Sequence, residues 1–248
     1  MAHDPDQIDI IEHLANSNTF LGMDLSHYGV TKHVWMLWIA ALLVFGIVWT
    51  AARQKGHVPR GLRNLLEPLL DFIRDQVMMP NMGEAGLPYL PFLWTLFLFI
   101  LMCNMLGLVP GGATATANIS VTAALAIVSF LVTQAAGLRQ NGRRYITGLV
   151  PPVPWWLWPL MLVVEIIGLM AKPFALAIRL WANMNAGHIV LLVILGFIFI
   201  FKNVFVIGIS VLGGMAISLL ELFVALVQAY VFTFLTAVFM GLALHPEH

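Results

Sequence analysis

The sequence predicts an all-α integral membrane protein of about five membrane helices plus an interfacial amphipathic helix, the last two membrane helices forming a long, steeply tilted antiparallel hairpin. Three observations carry that expectation. Of the 248 residues 60% are apolar and 10% charged, so a water-exposed domain would lack the polar side chains to cover its surface. Apolar runs recur that match the roughly 30 Å core of a bilayer, which takes about 20 residues per spanning helix. The charges, finally, are sorted between the two ends of those runs. Asp4, Asp6, Asp9, Glu12 and Asp24 precede the first run, whereas Arg53, Lys55, Arg60, Arg63 and Arg74, then Arg139, Arg143 and Arg144, fall in two short loops. By the positive-inside rule both loops are cytoplasmic, which leaves the acidic N-terminal segment outside.

Taken in order, residues 1–33 form the outer N-terminal segment, with Ile8, Ile11 and Leu14 at the spacing of a short amphipathic helix. Its acidic and polar residues stand where a cleavable signal would carry basic ones, so the first span acts as its own targeting signal. Residues 34–52 are that span, closed by the basic cluster. Over 59–80 the apolar Leu65, Leu66, Leu69, Leu70, Ile73 and Val77 alternate with charges, the pattern of a helix along the cytoplasmic interface or of an ordinary loop helix. Residues 90–109 form a second span between Pro88, Pro91 and a turn at Pro110, Gly111 and Gly112. Residues 119–138 form a third and return the chain to the basic loop. Pro151, Pro152, Pro154, Trp155, Trp156, Trp158 and Pro159 then read as a headgroup-level anchor.

The last two segments, 160–201 and 204–244, are each about 40 residues long, or roughly 60 Å as helix, twice what a bilayer needs. Such helices tilt, curve or lie partly along the membrane plane, and Pro173, Gly187, Gly196, Gly213 and Gly214 offer places to bend. The chain reads as a single membrane domain over 1–248, without a soluble domain or internal repeat. Cys103, the one cysteine, excludes an internal disulfide and reads as a small hydrophobe.

Polar residues in the first three spans are mild: Asn104, Thr122, Ser129, Thr133 and Gln134, types that bridge helices. The long pair differs, with Glu165, Lys172, Arg179, Asn183, Asn185, His188, Glu221 and Gln228. An ionisable group at bilayer depth costs about 2.5 to 3.5 kcal/mol on insertion scales, so it faces a wet cavity or a partner and marks a pathway. With a tight turn at Lys202 and Asn203, residues equidistant from it face one another, which sets Arg179 opposite Gln228 and His188 within a turn of Glu221. Arginine stays protonated under burial, so Arg179 is a fixed positive charge that holds a carboxylate ionised or blocks proton leakage; the plain alternative is a snorkelling or salt-bridged structural arginine. His188 and Glu221 are residue types able to exchange protons near neutral pH and read as a relay or the wall of a water-filled half-channel. No HEXXH motif or third clustered ligand supports a metal there, and no cofactor is expected. Glu165, roughly 21 Å of helix before Arg179, lines an exit towards the cytoplasm or pairs with Lys172, a residue placed to snorkel.

These residues carry a resemblance. The stretch PFALAIRLWANMNAGH (residues 173–188) resembles the signature around the essential arginine of subunit a of the F-type ATP synthase membrane sector, and ELFVALVQAYVFTFLT (221–236) is similar to that family's partner helix with its glutamine. NMLGLVPG (104–111) and EIIGLMAKP (165–173) resemble the end of its second span and the approach to the arginine. The resemblance implies that Arg179 faces the carboxylates of a rotating c-ring, that Gln228 is its neighbour on the last helix, and that Asn183 is a polar lining residue. Some members carry glutamate at the position of His188 and histidine at that of Glu221, so the pair is exchanged here. Others carry aspartate where Gly107 stands, and the Asn104 region is therefore given no proton role.

The resemblance implies two aqueous half-channels, an outer one past His188 and Glu221 and an inner one near Glu165, kept apart by Arg179 and coupling proton flow to rotation. It also implies the c-ring, peripheral-stalk b-type subunits, other synthase subunits, lipid and protons as partners, in a bacterial inner membrane or its mitochondrial counterpart, with the C-terminus cytoplasmic. Without a P-loop the chain binds no nucleotide directly and is no enzyme by itself; nucleic acid is not a partner. His188 and the lack of an oxygen-ligand cluster favour protons over sodium. The rival is a proton- or sodium-coupled secondary transporter, which would want inverted repeats and broken helices that this sequence lacks.

Overall fold

The computed structural model describes residues 19–20, 23–24, 32–53, 61–108, 115–142, 145, 156–201 and 203–245. The expected amphipathic helix near Ile8, the turn at Pro110 and the prolines at 151–154 lie outside these residues. A two-residue antiparallel pairing joins β1 (Thr19–Phe20) to β2 (Met23–Asp24), and every other regular element among the described residues is helical. Among the described residues five stretches are long and apolar enough to cross a membrane: Val34–Arg53, Leu62–Gly107, Ile119–Asn141, Leu160–Ile198 and Val204–Leu244.

Helix α1 (Lys32–Arg53) ends on Arg53, whose guanidinium lies 4.7 Å from the Trp49 ring centroid, a cation over an aromatic face at the end of an apolar run. The amphipathic segment that follows does not stop near Pro80. Helix α2 (Leu62–Phe72) passes through a π-helical stretch (Ile73–Met78) into α3 (Met79–Met82), and then a 3-10 stretch (Gly83–Tyr89) leads directly into α4 (Leu90–Gly107). Gly83, at φ 59°, makes the change of direction that an L side chain would resist. Leu66, Ile73, Val77, Met78 and Met82 are buried, while Asp71, Arg74, Asp75 and Glu84 are exposed. The buried side packs against the last helix, where the rings of Phe72 and Tyr230 meet at 5.6 Å.

Asn118 caps α5 (Ile119–Asn141) by accepting from the Ser120 amide, and Gly142 closes it at φ 53°. Helix α6 (Trp158–Phe201) runs through Pro173, and α7 (Val204–Leu244) starts at Asn203, whose side chain accepts from the Phe205 amide. At 44 and 41 residues these two are each longer than about 60 Å at the helical rise. They run antiparallel: near the turn Gly213 lies against Ile194, and further from it Glu221 lies against Gly187 and Gln228 against Asn183.

Helix α7 is the centre of the molecule and touches α3, α4, α5 and α6. Its buried side is built from small residues, Ala225, Ala229, Thr233, Thr236, Ala237 and Gly241, which let neighbouring backbones come close, the means by which helices associate where lipid removes the hydrophobic drive. The tightest of the described glycines is Gly241, where a Cβ would overlap the Asn81 carbonyl oxygen. Two polar clasps add direction. Ser129 and Thr236 share a hydrogen bond at 2.9 Å, and Asn141 donates to the carbonyls of Ala243 and Leu244 at 3.0 and 3.1 Å, satisfying the C-terminal end of α7.

Candidate functional site

Helix α6 turns one stripe, Leu176, Ala177, Leu180 and Met184, into the protein and leaves Arg179 on its exposed side. Periodicity explains the split: the buried positions recur every three or four residues and Arg179 falls between them. Ala175 and Ala186 are exposed on the same side, so the guanidinium rises from a strip of small residues. Among the described residues the ion pairs are Arg63 with Glu67 and Arg74 with Asp75; Arg179 has none. Two turns earlier, the Lys172 ammonium lies 5.4 Å from the Phe239 ring centroid, a cation–π contact that holds the side chain on α7.

One turn beyond Arg179, Asn183 donates through Nδ2 to Gln228 Oε1 at 2.7 Å. Equidistance from the turn sets Arg179 opposite Gln228; the residue that bonds it is instead Asn183. The reason is geometric. Contacts between two helices fall on stripes of three- and four-residue steps, and two crossing helices advance along those stripes unequally. Between the turn and Gln228, α7 moves from Gly214 to Gln228 while α6 moves only from Leu195 to Asn183. Gln228 is 3% exposed and its Nε2 has no partner among the described residues.

Glu221 lies two turns before Gln228 on α7 and is 9% exposed, with Oε1 also lacking a partner. A buried polar atom without a bond is costly and calls for an explanation such as water or a transient partner. Opposite it on α6 stands Gly187: a Cβ there would come within 2.5 Å of Glu221 Oε1. Beside this contact is a cavity of about 330 Å3 lined by apolar side chains, among them Leu108, Val190, Ile217 and Val224, and by Asn183 and Glu221. It therefore reaches from the carboxyl to the amide one turn from Arg179. Its polar groups converge in an apolar wall, the general form of a binding or conduction site.

His188 follows Gly187 on α6, and Glu165 lies towards the start of the same helix; the side chains of both are outside the described residues. Arg179, Asn183, Glu221 and Gln228 are thus brought to one stretch of the α6 and α7 pair, while Glu165 belongs to a different level of α6. Sequence reasoning missed Gly187 as a site residue, because a glycine carries no side-chain signal of what it makes room for. Asn104, a residue type expected to bridge helices, does so between α4 and α7 by donating to the Ala225 carbonyl, whereas the bond from Asn185 to the Ala117 carbonyl had no signal in the sequence. Among the described residues no group of three or more His, Cys, Asp and Glu is placed to hold a metal.

The family model described as "ATP synthase A chain" matches residues 34–241. A protein of Myxococcus xanthus named "ATP synthase subunit a" is 49% identical over 91% of this chain and 75% of its own length. One of Chloroherpeton thalassium with the same name is 44% identical over 99% of this chain and 80% of its own. A third, "ATP synthase subunit a 2" of Chlorobium luteolum, is 44% identical over 96% of this chain and 76% of its own.

Proposed function

The chain belongs to the ATP synthase A chain family, and from that premise we propose how its residues carry protons. It is the proton-translocating subunit a of the membrane sector. In our reading the cavity beside Glu221 is the inner end of an outer half-channel, through which protons arrive past His188 and Glu221. They are delivered near Asn183 to a carboxylate of a c-ring that rolls along the exposed strip of α6. Once neutral, that carboxyl turns away into lipid, and after nearly a full turn it loses its proton through a second half-channel near Glu165 to the cytoplasm.

Arg179 separates the two routes. A guanidinium is a permanent cation, so this side chain offers no site for a proton to hop through, and its charge favours the ionised form of each arriving carboxylate. Ala175 and Ala186 leave room for a neighbouring helix to come within reach of it. The single observation that carries the reading is the buried Glu221 Oε1, without a hydrogen bond among the described residues, on a cavity that also meets Asn183, one turn from the exposed Arg179, which has no ion pair among those residues.

The chain then catalyses nothing alone and works within the synthase, between the c-ring and peripheral-stalk b-type subunits, in a bacterial membrane with its N-terminus outside and C-terminus in the cytoplasm. The test is Arg179→Ala in the assembled complex, assayed in vesicles. Coupled ATP synthesis should vanish and passive proton leak should rise; retained coupling would remove the reading.

A further inference from the structure

We propose that Asn104, Thr116 and Asn185 form a polar belt that fixes the spacing of the two walls of the inlet cavity, with Asn104 as its positioning residue. The idea rests on the inlet reading above. Asn104 lies near the C-terminal end of α4 and is fully buried. Its amide is occupied at both ends: Nδ2 donates to the Ala225 carbonyl of α7 at 3.2 Å, and Oδ1 accepts from Thr116 Oγ1 at 2.8 Å. Thr116 is likewise fully buried, in the short 3-10 turn Ala115–Ala117. The next residue, Ala117, accepts through its carbonyl from Asn185 Nδ2 of α6 at 3.1 Å. The belt runs from α7 through α4 and the turn to α6.

Its two ends fall on the cavity walls. Ala225 follows Val224 and lies one turn after Glu221; Asn185 sits between Met184 and Ala186; and Val224, Glu221, Met184 and Ala186 all line the cavity, as does Leu108 one turn after Asn104. Helices α6 and α7 meet directly at Asn183 and Gln228, and the belt joins them a second time by way of α4. Apolar packing alone lets helices slide and rotate at low cost, whereas a buried hydrogen bond in a low-dielectric surrounding is directional and expensive to lose. A neutral amide with both ends engaged is no proton carrier, so Asn104 acts through where it holds Glu221.

The experiment uses the whole synthase in vesicles, in a Cys103→Ala background carrying Ile217→Cys as a reporter on the cavity wall. A trimethylammonium methanethiosulfonate reagent, which does not cross the bilayer, is enclosed in the lumen of inverted vesicles, the side onto which the outer half-channel opens, and both its reaction rate and ATP-driven proton pumping are followed. Asn104→Leu and Thr116→Val should each lower pumping about fivefold, the factor for one buried hydrogen bond, and should change the reaction rate at Ile217→Cys, while Thr116→Ser, which keeps the hydroxyl, restores both. If Asn104→Leu does not assemble, the near-isosteric Thr116→Val decides. Unchanged pumping and labelling in Thr116→Val overturn the belt, as does lowered pumping with unchanged labelling, which would mark a loss of stability elsewhere. Should the reagent leave pumping untouched in the reporter protein itself, the cavity is no inlet, and the inlet reading falls together with the belt.

Discussion

Asn183 and Gln228 are joined by a hydrogen bond of 2.7 Å, the one direct side-chain hydrogen bond between α6 and α7 among the described residues, and Asn183 also lines the cavity beside Glu221. Gln228 is almost wholly buried, so removing its partner leaves an amide to be desolvated without compensation, a loss of about 1 to 3 kcal/mol. Asn183→Leu and Gln228→Leu should each reduce ATP-driven pumping roughly tenfold, and the double variant should be scarcely worse than either, because the pair acts as one unit. Additive losses in that cycle would show that the two amides work apart.

Gly187 makes room for the Glu221 carboxyl. In Gly187→Ala the new Cβ would stand 2.5 Å from Oε1, well inside contact, so the carboxyl must rotate away from the cavity or the helices must part. Overpacking of this kind costs about 1 to 3 kcal/mol. Assembled complex carrying Gly187→Ala should pump at least about fivefold more slowly, while its passive leak, which the proposed barrier at Arg179 would govern, stays at the wild-type level. Normal pumping would mean that the carboxyl position does not matter to conduction.

Among the described glycines, Gly241 has the least room for a side chain. A Cβ on Gly241 would overlap the Asn81 carbonyl oxygen, and backbone cannot yield as a flexible side chain does. Gly241→Ala should therefore destabilise the docking of α3 against α7 by about 1 to 3 kcal/mol. The readout is a lower midpoint of thermal unfolding in detergent. An unshifted midpoint would mean that α3 is not held there.

Much of this was legible because lipid constrains sequence so severely. A span must be apolar over about 20 residues, so α1, α4 and α5 stand out by composition. Arg179, Glu221 and Gln228 stand out by the same test, as polar groups that an apolar helix does not tolerate without cause. What escaped were relations between helices. The pairing of Gln228 with Asn183 in place of Arg179 depends on how two helices cross, which a count from the turn cannot supply. The tight fit at Gly187 and Gly241 depends on what stands opposite, and a glycine says nothing about that. Asn104 looked like a mild helix-bridging residue until its two partners, Ala225 and Thr116, were seen to belong to different elements. The amphipathic run after Pro59 was visible as a pattern, and Pro88 and Pro91 do bracket the start of α4 at Leu90, yet Pro80, which read as the end of the run, sits inside α3, so the continuation through a 3-10 stretch into α4 was hidden.

Arg179→Lys separates charge from permanence. Both side chains are cations in water, but an ammonium at bilayer depth shifts its pKa readily and sheds its proton, whereas a guanidinium does not. A lysine at this exposed point of α6, with no acidic partner among the described residues, would carry a proton that can be lost to one half-channel and regained from the other. If Arg179 only attracts carboxylates, lysine should support near-normal coupling. If it also blocks proton passage, the Arg179→Lys complex should keep some ATP-driven pumping while leaking protons passively in vesicles, with ATP synthesis reduced at least about tenfold. Passive leak measured with the nucleotide sites inhibited decides between them, because only the barrier role predicts a leak that a conserved positive charge fails to stop.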